Sequence, residues 1–209
     1  MRSARSIMLE RVRRAATTGR IPRDWMQVQD SKPSRTLDRV ALRDKFVGEL
    51  TSLGVASYVA ASASEVRTRV KQVVGSRSVF SWDAGQLPYD VASVLVDPAN
   101  AASPHDVQAL AEVGVTGCQA AIAETGSVVV LSGSGTPRAA SLLPPTHVCV
   151  VRIGDLYWSI GDFFQARSAD IAAAACCTFI TGPSRTADIE LTLTLGVHGP
   201  GEVIVIVGP

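Results

Sequence analysis

The residues best suited to chemistry in this chain lie in three glycine-rich stretches, each following an apolar run. The first, GVTGCQAAIAETGS at 114–127, carries Thr116, Gly117, Glu124, Thr125 and Gly126. Glycine lets a backbone approach a ligand closely, and exposed N–H groups in such a loop can hold an anion. Glu124 stands among small apolar residues. A carboxylate there is expected to be desolvated, with its pKa raised, or to have a hydrogen-bonded partner. Capping a turn is the structural alternative. As nucleophile or base, Glu124 is the first catalytic candidate.

The second stretch, SGSGTPRAASLLPPTH at 132–147, follows VVVL. Ser132, Gly133, Ser134 and Gly135 are rich in backbone donors, and Arg138 adds a forked cation that fits carboxylate or phosphate. The P-loop pattern G-x-x-x-x-G-K-[ST] is absent. His147 precedes a strand, where it could act near neutral pH or serve structure. The third stretch, TGPSRTADIE at 181–190, follows CCTFI. Ser184 or Thr186 could cap a helical turn whose N–H groups face an anion. Arg185 supplies charge, and Asp188 could hold a ligand hydroxyl or simply pair with Arg185. GVHGPGE at 196–202 adds His198 between glycines, where packing alone does not call for an imidazole; it is the second catalytic candidate, as acid/base. No G-x-S-x-G elbow occurs.

These loops need a scaffold, and the composition describes one. The 209 residues are 46% hydrophobic, 19% charged and only 5% aromatic, which excludes a disordered chain and predicts a core of Val, Ile, Leu and Ala. Strands are expected at 55–60, 79–82, 91–96, 113–121, 128–131, 148–153, 176–180 and 203–207. Helices are expected at 36–53, 62–74 and 162–175, the second opened by Ser62 and Glu65 at capping-box spacing. Strands alternating with helices predict an α/β fold, a mostly parallel sheet with helices on both faces. Ligands of such sheets gather at the carboxyl ends of the strands.

The charge is uneven. Residues 1–45 hold twelve Lys/Arg against five Asp/Glu, and the remainder eight against fourteen. A basic arm and linker (1–35), with a short helix over 1–16, thus precedes an acidic α/β body (36–209). A net charge of +1 gives no case for nucleic acid. No apolar run approaches the ~20 residues of a membrane span. With no signal peptide evident, a cytoplasmic location is expected. The four cysteines, Cys118, Cys149, Cys176 and Cys177, lack metal-site spacing and read as buried free thiols, so no cofactor is expected on this chain alone.

The strings GVTGCQAAIAETGSVVVLS, SLLPPTHVCVV, ITGPSRTADIELTLTLGVHGP and EVIVIV resemble the LUD domain of lactate utilization proteins, in order from about 36 to 207. The resemblance implies a fold related to the glucosamine-phosphate isomerase, ribose-phosphate isomerase and CoA-transferase group. It also implies a part in oxidising L-lactate to pyruvate, beside subunits of which one carries iron–sulfur clusters. This chain would bind a small anion or cofactor, and a homo-oligomer is compatible with that role. Glu124-Thr125-Gly126 is similar to the E-x-G stretch of related CoA transferases, which implies a stand-alone acyl-transfer alternative. A regulatory or structural module without catalysis is the remaining one.

Overall fold

The computed structural model describes residues 4–18, 38–187 and 193–209. The chain divides into two units, Met1–Pro33 and Ser34–Pro209. In the first, Ala4–Thr18 forms a helix, α1, on which Ile7, Met8, Leu9 and Val12 are exposed. Most of the expected linker lies outside the described residues.

The second unit is built on five parallel strands: Ala56–Val59 (β1), Val79–Ser81 (β2), Val113–Thr116 (β3), Thr146–Arg152 (β6) and Glu202–Gly208 (β11). Their order is β1-β11-β6-β3-β2, and every neighbouring pair is parallel. A second, four-stranded sheet comprises Ala120–Ile122 (β4), Ser127–Ser132 (β5), Leu156–Tyr157 (β7) and Cys176–Ile180 (β8), in the order β7-β4-β5-β8. Here β4–β5 and β5–β8 are antiparallel. Arg185–Ala187 (β9) and Leu193–Leu195 (β10) form a separate antiparallel pair.

One face of the parallel sheet meets α3 (Ala63–Val74), whose Val66, Val70 and Val74 are buried one turn apart with Val148, Val150, Ile204 and Ile206. Ser62 caps α3 by accepting from the Glu65 N–H, while the Glu65 carboxylate accepts from the Ala61 N–H. The other face carries α2 (Arg39–Ser52) and the small sheet. Leu42, Phe46 and Leu50 pack there with Ala121, Val128, Cys149, Val151 and Val205. Helices thus lie on both faces of the mostly parallel sheet, as expected, and a second sheet, not expected, shares one face with α2. Val40, at the start of α2, lies off this buried stripe and is exposed.

Three expectations are revised. Residues 91–96 are not a strand: Pro88–Val94 is a 3-10 segment kinked at Tyr89 and Asp90, whose φ of 58° and 55° break any strand alternation. The run 113–121 divides at Gly117 into β3 and β4, which join different sheets. The helix expected at 162–175 is two short ones, Ile160–Ala166 (α5) and Ser168–Ala173 (α6), meeting at Arg167. A one-turn helix, α4 (His105–Ala109), precedes β3. No helix among the described residues is long and apolar enough to cross a membrane.

Candidate functional site

The candidate residues separate along β5. At its carboxyl end, Ser132 leads into the turn 133–136, closed by the Thr136 N–H donating to the Gly133 carbonyl (3.2 Å) and the Thr136 hydroxyl donating to the Leu131 carbonyl (3.0 Å). Gly135 has φ +75°, and a Cβ there would lie 3.0 Å from the Asp83 carboxylate, so the turn seats against the carboxyl end of β2. The Asp83 N–H donates to the Gly135 carbonyl at 2.9 Å. Arg138 follows, exposed; its carbonyl accepts from the Ser141 hydroxyl at 2.9 Å, and the one polar contact of its guanidinium among the described residues is a long 3.9 Å approach to the Cys176 sulfur. The Thr178 hydroxyl (3.6 Å) and Arg138 hold that thiol below its ordinary pKa.

At the other end of β5 lie Glu124, Thr125 and Gly126, about 17 Å away for five strand steps. Glu124 is exposed on the β4–β5 turn, and its backbone N–H donates to the Trp158 carbonyl (2.9 Å). The expectation of a desolvated carboxylate is corrected, because a hairpin tip leaves its side chain in water. Gly126, at φ +67°, is required by packing: a Cβ would lie 3.0 Å from Leu53 and 3.1 Å from Glu49 on α2. Thr125, Ser127 and Thr181 form a hydroxyl chain with 2.7 Å links, joining β5 to the end of β8.

Arg185 belongs to that same end. Its guanidinium donates to the Leu53 carbonyl at 2.5 Å, closing the carboxyl terminus of α2. Arg138 and Arg185 follow β5 and β8, which run antiparallel, so the two cations stand at opposite ends of β5 and do not share one small ligand. Among the described residues no helical turn follows β8 for Ser184 or Thr186 to cap: residues 185–187 are strand β9. Ser184 instead joins loops, its N–H donating to the Pro200 carbonyl and its carbonyl accepting from the Gly196 N–H, both at 2.9 Å. Thr186 lies within β9, His198 is exposed in the adjoining loop, and Asp188 lies outside the described residues. An Arg185→Ala chain is expected to lose roughly 0.5–1.5 kcal/mol in urea denaturation through the freed helix carbonyl.

Thr116 and His147 are both fully buried and share a 2.9 Å hydrogen bond across β3 and β6. Burial lowers the His147 pKa to about 4, so the imidazole is neutral at pH 7 and serves structure.

Sequence reading passed over a second group at the carboxyl edge of the parallel sheet. Arg152 ends β6 and approaches Asp155 at 3.9 Å. Burial raises the pKa of half-buried Asp155, against the lowering pull of Arg152. Burial likewise raises that of Tyr89. Contact with the Cys149 thiol, then burial, holds Cys118 well above its usual range. Tyr89 is strained yet pinned: its carbonyl accepts from Arg67 at 3.0 Å, its hydroxyl donates to the Pro209 carbonyl, and its ring would lie 2.6 Å from a Cβ on Gly208. Arg152 lies at the end of the strand expected at 148–153 and Asp155 just beyond it, so the carboxyl-end rule was the available signal. Among the described residues no three or more His, Cys, Asp or Glu gather to hold a metal ion.

A LUD domain family model matches residues 43–207. The chain is 31% identical over 174 residues to lactate utilization protein C of Deinococcus radiodurans, covering 82% of this chain and 81% of that protein. It is 36% identical over 154 residues to lactate utilization protein C of Macrococcus caseolyticus, covering 69% and 67%. The crystal structure of a DUF162 family protein from Deinococcus radiodurans superposes with a TM-score of 0.67 at 26% identity, covering 83% of this chain and 99% of that one.

Proposed function

The chain belongs to the LUD-domain family, and from that premise we propose that it is a cytoplasmic component of lactate utilization, resembling lactate utilization protein C, that binds a small anion while an iron–sulfur partner carries the electrons. Kinship with the isomerase and CoA-transferase group is part of the same reading, supported by the parallel sheet. One observation carries the binding role: Arg138 stands beside the glycine turn 133–136, at the carboxyl end of β5 and against that of β2, with its guanidinium fork free of any carboxylate among the described residues. A carboxylate meeting that fork gains charge-assisted, bidentate hydrogen bonds, and the turn adds backbone donors.

Oxidising L-lactate to pyruvate releases a pair of electrons and a pair of protons. An iron–sulfur partner is the acceptor this reading assigns, with this chain presenting the carboxylate. Calorimetric titration of the full chain with lactate, pyruvate, CoA and inorganic phosphate tests the assignment. Arg138→Ala is expected to weaken binding of the recognised anion by roughly 1.5–3 kcal/mol. Arg185→Ala, at the far end of β5, should leave the affinity unchanged. Equal binding by the parent and Arg138→Ala removes the site. Purified chain that reduces a dye with lactate as sole partner removes the division of labour.

A further inference from the structure

A cavity of about 620 Å³ opens away from the site above, at the amino-terminal edge of β2 and β3. Val74, Val79, Val94, Val96, Val107 and Ala111 line it, with the carboxylates of Asp97 and Glu112 among them. Its mouth is unusually apolar for solvent: Val96 is 82% exposed, and neighbouring Leu110 is 77% exposed. The cation that lines it, Arg77, is already engaged by the Val73 and Val74 carbonyls and the Thr146 hydroxyl (3.2 Å). Glu112 accepts the Ser78 N–H and hydroxyl, which hold its carboxyl below the usual range and therefore ionised. Arg77 keeps its charge and helps to hold Glu112 ionised, but Asp97 and Glu112 outnumber it, so the cleft is apolar in its walls and carries one net negative charge. A contiguous exposed apolar patch rimmed by charge marks an interaction surface.

The first unit supplies the complementary chemistry. On α1, Met8 and Val12 lie one helical turn apart, 68% and 60% exposed, with Ile7 beside them and Arg5 and Arg11 flanking. Fifteen residues make a marginal helix in water unless an apolar face is covered. Residues 1–33 carry a surplus of five positive charges, and residues 34–209 a surplus of four negative ones. Helix-in-groove recognition uses this pairing of an apolar stripe with opposite charge.

We propose that the acidic apolar cleft between the 3-10 segment Pro88–Val94 and α4 is the docking groove for α1 of a second copy of this chain. Met8 and Val12 enter the valine-lined cavity, and Arg5 and Arg11 face the Asp97 and Glu112 carboxylates. This pairing is independent of the anion site.

Analytical ultracentrifugation of the full chain tests it. A dimer is expected at about 50 mM salt, with its dissociation constant raised at least tenfold at about 500 mM, where exposed charges are screened within ~5 Å. Val12→Asp and Val96→Lys should each give monomers. Both positions are exposed, so unchanged thermal melting is expected to accompany that loss. Mixing the two variants should restore the dimer, since one pairing is intact and the other joins the new aspartate to the new lysine. Three results overturn the proposal: a full chain that stays monomeric at about 100 μM in low salt, a dimer that both variants leave intact, or monomeric variants whose mixture stays monomeric. The first would mean that α1 finds its partner elsewhere, the second that copies meet through another face.

Discussion

Gly114→Ala is expected to be the most damaging single-methyl change in the chain. A Cβ on Gly114 would overlap the Ala140 carbonyl oxygen and lie 3.0 Å from its carbon and 3.3 Å from Pro144. The obstacle is backbone, so no rotamer change relieves it. The 3-10 segment Arg138–Ser141 would have to lift from β3, taking buried Ala140 and Ser141 with it. Overpacking against a fixed neighbour costs about 3 kcal/mol or more, a fall of roughly 6–12 °C in Tm for a domain of this size. Calorimetry checks that value. The same substitution should also displace Arg138, so any fraction that folds should bind the recognised anion poorly. A Gly114→Ala protein melting within about 2 °C of the parent would mean that the segment does not press on β3 in solution.

The second large effect is a dependence on pH. His147 in the native state has a pKa lowered to about 4 from 6.5, because burial disfavours the imidazolium. The unfolded chain takes up a proton near pH 6.5 that the folded chain refuses until about pH 4. Stability from this residue is therefore complete above pH 6.5 and falls as the pH drops through that window. The loss amounts to about 3 kcal/mol by pH 4. Urea denaturation at about pH 7.5 and about pH 4.5 should give most of this difference in the parent. In His147→Gln, whose amide keeps a hydrogen bond to Thr116 without titrating, most of the difference should vanish. Parallel losses in the two proteins would assign the acid sensitivity to other groups.

The scaffold was legible wherever one rule acted alone. Val66, Val70 and Val74 at helical spacing gave α3 with Ser62 and Gly75 at its ends, and the Val/Ile runs gave β6 and β11. It failed where tertiary context overrode a local pattern. Val91–Val96 has strand composition, but Pro88 and the left-handed pair Tyr89–Asp90 fold it onto α3. The run from Val113 to Ala121 is mostly small and apolar, with only Thr116 and Gln119 polar, so little local announces that Gly117 turns it from one sheet into another; the need there is steric, since a Cβ would meet Pro88 and Trp82. The site was legible only in part for a related reason. AETG and GPSR contain the residue types of chemistry, yet Gly126 serves contact with α2 and Arg185 caps that helix. Composition marks where a backbone must do something unusual, and whether that is binding or packing is decided by neighbours far away in sequence. Arg152 and Asp155 were missed because an ordinary strand end gives no local sign that burial will perturb its charges.

The pairing of β1 with β11 has a consequence for how the molecule is made. Ala56 lies beside Ile204, so β1 leaves the ribosome well before its lateral partner β11 is made. The carbonyl at the end of α2 likewise waits for Arg185. A partly synthesised chain would expose the flank of an apolar strand for most of its elongation, and closure of the domain is a late, long-range event rather than a progressive one. Truncation at the final strand should therefore leave a species that chaperones retain, not a smaller native body.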